Sequence, residues 1–218
     1  AEAFFQATAW TMDTPKPMEL FICPDRLGVS LSIFLARKFS FPERKAGPDT
    51  ILFLCGLFLG LTELYKQGFI YYIENGRTYD WWYFPFQLCS VPMYLGLFIP
   101  MVPARIRNVF YLFIQDFGLL GGIMALAEPS GLMHPYWTMT VHGFLWHFNL
   151  IFMGLICAFY NLKTETPKSY LHTIPLFLFC TSIATAVNVL SHPYGNADMF
   201  YISPYYPNGR SSFTRSPW

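Results

Sequence analysis

The chain has 218 residues, 54% hydrophobic, 20% aromatic and 12% charged, with a formal net charge of +1. A soluble domain carries about 25% charged residues, so this low density, spread between long apolar runs, makes lipid the main solvent. The charge balance excludes the basic footprint of a nucleic-acid binder. Five cysteines, an odd count with four of them inside apolar runs, exclude a disulfide framework.

In chain order, residues 1–23 form an N-terminal outer segment broken by Pro15 and Pro17. The chain does not start with Met, and this segment lacks the basic and apolar regions of an intact signal peptide. A transmembrane bundle follows over 24–191. Its first helix covers Arg26 to Phe39 and is short for a span of about 20 residues. The second runs Ile51 to Tyr72 and carries Glu63 and Lys66, and a turn follows at Glu74-Asn75-Gly76-Arg77. The third runs Tyr83 to Val102, and Pro85 and Pro92 are expected to bend it around Cys89, freeing the carbonyls of Trp81 and Leu88. The fourth runs Asn108 to Ala127, the fifth Pro135 to Tyr160 and the sixth Tyr170 to Leu190. Residues 192–218, rich in Pro, Gly, Asn and Tyr, form an outer tail or loop.

Basic residues mark alternate loops. Arg37, Lys38, Arg44 and Lys45 follow helix one, Arg105 and Arg107 follow helix three, and Lys163 and Lys168 follow helix five. The other loops hold only Arg77. Basic loops stay inside, which predicts a multi-pass protein, in the cell membrane, with its N-terminus outside.

At 1.5 Å per residue, Cys89 and His142 lie roughly 10 Å below the outer surface, and Glu63 and Asp116 roughly 15 Å below it. His147 falls deeper than His142, and Asn188 lies near the outer surface. With Gln87 and Gln115, these residues occupy the outer half or the midplane, and the inner half is expected to be almost purely apolar. Intramembrane ionisable groups are costly and face the bundle interior, so the pattern predicts a polar cavity opening outward. Cys89 with His142 is the pair with sharp chemistry. A thiol becomes a nucleophile when a neighbouring base takes its proton, and a carboxylate such as Glu63 or Asp116 can orient that base. Acyl transfer through a thioester would follow.

Blander readings stand beside this one. Cys89 alone behaves as a small buried hydrophobe. His142 and His147 can serve as interhelical hydrogen-bonding groups, and five residues apart they do not share a helix face as a metal pair would. Glu63 and Lys66 suit a neutralised pair. Gly56 and Gly60 form a GxxxG packing motif, and Gly118, Gly121 and Gly122 let helix four pack closely. No metal and no cofactor is indicated.

Several segments carry a family resemblance. FPFQLC, ending at Cys89, resembles the LPLHLC signature of the YwaF-like integral membrane proteins. Phe117 to Pro129, FGLLGGIMALAEP, resembles that family's WGLxGxxxALLTP helix end, and His142-Gly143 its HG pair. Asn188, with NADMFYI from Asn196 to Ile202, resembles its N…NYMFL segment, and MELF at Met18 to Phe21 resembles its start. Gln87 stands where the family has His, and Ala197 where it has Tyr. The resemblance implies a bundle of six or seven helices. The family is similar to a vertebrate transmembrane acyltransferase that remodels phospholipids through a cysteine, and more distantly to intramembrane hydrolases that use Thr and His. It implies Cys89 as nucleophile and His142 as its base. Ser216-Pro217-Trp218 resembles the segment that precedes a further family helix, so either a seventh helix lies beyond position 218 or the bundle has six.

Three functions compete on this reading: an acyltransferase or hydrolase acting on a membrane phospholipid or other acyl lipid, a transporter or small-molecule binding protein, and a structural subunit with partners unknown. The residues that carry the first two are Cys89 and His142, with Glu63, Gln87, Gln115, Asp116, His147, Asn188 and Asn196 in support.

Overall fold

A computed structural model of the chain describes residues 2–13, 22–40, 48–162, 166 and 168–205. Arg44, Lys45, Lys163, the MELF segment and Ser216-Pro217-Trp218 lie outside the described residues. Eight α-helices occur within them: α1 (Glu2–Gln6), α2 (Ile22–Ser40), α3 (Asp49–Phe69), α4 (Val91–Phe98), α5 (Ala104–Phe113), α6 (Leu119–Ala127), α7 (Trp137–Asn161) and α8 (Ile174–Ser191). No β-strand occurs among the described residues; Thr11 and Tyr136 form an isolated bridge. The protein is an all-α membrane helix bundle.

Helix α7 is the axis. It packs against α2, α3, α5 and α6 and buries residues along its length, among them Met139, Phe144, Trp146, His147, Leu150, Met153 and Cys157. Ala104–Ala127, Trp137–Asn161 and Ser169–Ser191 are each long and apolar enough to cross a membrane. Helix α3 separates its faces. Leu54, Leu57, Phe58, Leu61 and Leu64 are exposed, while Leu52, Cys55, Gly56, Leu59 and Glu63 are buried. Exposed leucines at this spacing are a lipid-facing stripe, and the buried set faces α4 and α7.

The first helix is longer than its apolar run: α2 begins at Ile22 and buries Ala36 and Ser32, whose hydroxyl donates to the Gly28 and Phe148 carbonyls at 2.8 and 3.3 Å. The third span departs from expectation. It is not a continuous helix from Tyr83. Trp81–Tyr83 make a single 3₁₀ turn, a non-helical stretch follows, and helix resumes with Leu88–Ser90 and α4. Phe84 takes φ −54° and ψ 129°, the extended conformation that a following proline imposes. Pro92 does not bend this helix. It occupies the first turn of α4, where its missing N–H costs nothing. The Trp81 and Leu88 carbonyls, expected to be free, accept from Phe84 N and Val91 N through 3₁₀-type bonds.

The fourth span also carries an irregularity. Ile114–Gly118 form a π-helical turn between α5 and α6, a feature that rotates the side chains on either side of it relative to one another.

Close crossings are made by glycine. A Cβ on Gly96 would stand 2.7 Å from the Leu52 carbonyl oxygen and 3.1 Å from Gly56 Cα, and a Cβ on Gly56 would stand 2.8 Å from Leu97 N. Helices α3 and α4 therefore touch backbone to backbone, and Gly56 of the GxxxG motif is used within the chain. Gly122 does the same for α6 on α7, where a Cβ would meet the His147 carbonyl at 3.0 Å. At one end of the bundle the Asp49 carboxylate takes both Arg107 and the Tyr111 hydroxyl, joining α3 to α5. At the other end residues 2–13 are tied down, with Met12 N donating to the Pro135 carbonyl at 2.8 Å and Trp137 N to the Trp10 carbonyl at 2.9 Å.

Gly96→Val places a branched side chain into backbone atoms that cannot give way. It is expected to lower stability by at least about 1–3 kcal/mol, seen as a lower thermal midpoint in detergent, whereas Gly60→Val, whose Cβ would meet only the tip of Leu97 at 3.6 Å, is expected to be near neutral.

Candidate functional site

The last two turns of α3 carry Glu63, Lys66 and Gln67 on one face, at spacings of three and four residues. Glu63 is 4% exposed. Its Oε1 accepts from Lys66 Nζ at 2.8 Å and from Gln67 Nε2 at 2.7 Å. Gln67 Nε2 also donates to the Tyr83 carbonyl at 2.6 Å, so α3 holds the non-helical stretch before Cys89. The Lys66 ammonium lies 5.9 Å from the centre of the Trp146 ring, within cation–π range. Trp146 Nε1 in turn donates to the Cys89 carbonyl at 3.2 Å. The Ser90 side chain and the amide of Cys89 itself lie at the Cys89 sulfur.

Helix α7 contributes both histidines. His142 lies over Trp146, ring centres 5.5 Å apart, with the Thr62 backbone beside it. Its Nε2 is buried and has no hydrogen-bond partner. His147 Nδ1 lies 2.7 Å from the Gly143 carbonyl. A carbonyl only accepts, so Nδ1 carries the proton and Nε2 its lone pair. Lys66 lies within electrostatic reach of Cys89, His142 and His147. Four of the expected residues, Glu63, Cys89, His142 and His147, therefore gather around Lys66, with Glu63 and His147 buried and Cys89 and His142 half-buried. Cys89 and His142 are not hydrogen-bonded to each other, and Glu63 is engaged with Lys66 and Gln67 rather than with a histidine.

The other expected residues lie elsewhere. Gln87 and Asn188 bind the segment after α8, and Asn196, within that segment, binds back to Trp82. Asn188, fully buried, donates to the Met199 carbonyl at 3.0 Å and accepts from Met199 N at 2.6 Å. Gln87 donates to the Asp198 carbonyl at 3.0 Å and accepts from Phe200 N at 2.8 Å. The Asn196 side chain accepts from Trp82 N at 3.1 Å. Gln115 accepts from Asn161 Nδ2 at 2.9 Å, near the far end of α7, and Asp116 lies next to it on the π turn. The inner half is thus not purely apolar: Asn161 is 2% exposed. The expected single outward cavity resolves into three groups. A hollow of about 390 Å³ is lined by Glu2, Tyr71, Tyr72 and Arg77 and not by the Cys89 cluster.

Sequence reasoning passed over Gln67, Trp146, Asn161 and Asp198. Two were findable, since Gln67 lies one helical turn from Glu63 and Trp146 one turn from His142. Asn161 and Asp198 carry no such signal.

Helices that expose leucine stripes outward and gather ion-paired and polar groups inward define a multi-pass membrane protein. The chain belongs to the TMEM164 family, whose model matches residues 20–218. Comparison with curated proteins and with solved structures returns no match. The family match carries a membrane protein; the YwaF-like likeness and the acyltransferase likeness are narrower than what it supports.

Asn188→Ala leaves Met199 N without a partner in a buried site and leaves the Met199 carbonyl only the longer bond from Ile202 N at 3.4 Å. The expected cost is on the order of 1–3 kcal/mol, read as a lower thermal midpoint, with the segment 198–203 becoming cleavable by added protease.

Proposed function

We propose that the protein is an intramembrane cysteine-dependent acyltransferase or hydrolase acting on a phospholipid or other acyl lipid, with Cys89 as nucleophile and His142 as base. The observation that carries this reading is the buried, unpartnered Nε2 of His142 in the cluster that holds Cys89. A buried polar atom without a partner is costly, and a base awaiting a proton donor is one reason for it to persist. A hydroxyl or water lodged between the two side chains would complete the connection, since resting hydrogen bonds in such sites often close only with substrate.

The reaction then balances simply. The thiol proton passes to His142 Nε2 as the sulfur bonds to the acyl carbonyl carbon, and the departing alcohol oxygen takes that proton. A second hydroxyl, from a lysolipid or from water, gives its proton to His142 and attacks the thioester, and the thiol is restored. Glu63 holds Lys66 beside the cluster, so a cation stands near the charge that develops there. The partner is a membrane lipid, and the protein lies in the cell membrane with its N-terminus outside, in keeping with Arg37, Lys38, Arg105, Arg107 and Lys168 at alternate helix ends.

One observation favours a binding or transport role instead: α4 starts inside the span after a non-helical stretch, as interrupted helices do in transporters. The use of Gly56 against Gly96 weighs against a purely structural subunit built on that motif.

The deciding experiment exposes purified protein to a thiol-reactive acyl-lipid probe and maps the modified cysteine by mass spectrometry. Labelling is expected at Cys89 and not at Cys55, Cys157 or Cys180, and His142→Ala is expected to slow it roughly 100-fold or more. Equal labelling of these cysteines, or none, sinks the enzyme reading and leaves the transport reading in its place.

A further inference from the structure

The 3₁₀ pattern that leads into α4 fails at Cys89. In that turn each carbonyl accepts from the amide three residues on: Gln87 from Ser90 N at 2.8 Å, and Leu88 from Val91 N. The next carbonyl in the series, that of Cys89, would take the amide of residue 92. Residue 92 is proline and has no N–H to give. The donor comes from another helix instead, as Trp146 Nε1 of α7 reaches the Cys89 carbonyl at 3.2 Å.

The same indole meets two further members of the site. Trp146 lies one turn after His142 on α7, with ring centres 5.5 Å apart and planes tilted by 37°. The Lys66 ammonium of α3 lies 5.9 Å from the Trp146 ring centre, within cation–π range. Trp146 is only 5% exposed. Filling this space alone would suit phenylalanine or leucine, neither of which buries an N–H that needs a partner. The chain places here the one apolar side chain that packs as a broad ring and also donates.

We infer that Trp146 is a positioning residue of the Cys89–His142 pair: its N–H fixes the backbone that carries the thiol, and its ring fixes the imidazole, so that sulfur and Nε2 address the same acyl group. This deepens the acyl-transfer reading and rests on it. Trp146 takes no proton and touches no reacting atom. Its contribution is geometric. The nucleophile sits on an irregular piece of chain and the base on the continuous helix α7, and the indole ties the first to the second. A misplacement of about 1 Å in such a pair can cost on the order of 100-fold in rate.

The test puts benzothienylalanine at position 146, which keeps the shape of the indole and exchanges its N–H for sulfur. It is introduced into wild type and into His142→Ala, and all forms are purified in the same detergent. Acylation of Cys89 by the thiol-reactive acyl-lipid probe is followed against probe concentration. The maximal rate is expected to fall roughly 100-fold at an unchanged half-saturating concentration. The thermal midpoint is expected to drop by only about 2–4 °C, as loss of one hydrogen bond does in a chain of this size. In His142→Ala the same exchange is expected to change the rate less than about twofold, because the pair it positions is already broken. Trp146→Phe, which keeps an aromatic ring without the N–H, is expected to lose rate to the same degree. Wild-type rates in either variant overturn the inference while leaving Cys89 a nucleophile. A loss that persists in full in His142→Ala, or that appears as a raised half-saturating concentration, also overturns it, since Trp146 would then serve packing or lipid binding. Absence of acylation in the wild type removes the acyl-transfer reading itself, and the inference with it.

Discussion

Between Phe84 and Ser90 the backbone runs without regular helix beside helices that face lipid. In such surroundings every amide and carbonyl must find its partner inside the protein, and the rest of the structure is arranged to provide them. The Tyr83 carbonyl takes Gln67, the Pro85 carbonyl takes the Tyr94 hydroxyl at 2.7 Å, and the Cys89 carbonyl takes Trp146. Gln87 turns outward from the same stretch and holds residues 198–200. Helices α3, α4 and α7 and the segment after α8 are thus all fastened to one irregular piece of chain. Their glycine crossings bring them close enough to reach it.

This view reassigns much of the intramembrane polarity. Gln67, Gln87, Trp146 and Asn188 satisfy backbone, and Glu63 neutralises Lys66. Once such duties are counted, His142 Nε2 stands out as a buried atom on α7 that serves neither purpose. Glu74 Oε2 is also unpartnered, but it lies on the π turn after α3, where Glu74 Oε1 is 3.3 Å from His134. Most of the polar groups inside the bundle therefore serve its backbone and its charge balance.

The sequence made the helices legible because apolar runs and charged loops report directly on lipid and water. Helices two, four, five and six begin and end within a few residues of their expected limits. The placing of single side chains was less legible. The rise per residue puts Gln115 in the outer half or at the midplane, yet its amide oxygen accepts from Asn161 near the far end of α7. Each residue also turns about 100° from the last, and the π turn at Ile114–Gly118 shifts that phase again. Pro92 misled for a related reason. The same residue bends a helix from its interior or opens one from its first turn, and only the non-helical backbone before it shows which applies.

The position of Pro92 has an electrostatic consequence. Because α4 starts within the span, with Ser90 at its boundary, the positive end of its dipole points at the Cys89 segment from inside the membrane rather than from water. A helix terminus carries roughly half an elementary charge, and where lipid and packed side chains replace water little screens it. Continuous helices would leave this layer of the bundle electrically neutral along their axes. The interruption gives it a fixed polarity that favours negative charge beside residue 89, whether that charge sits on sulfur, on an oxyanion or on a bound headgroup.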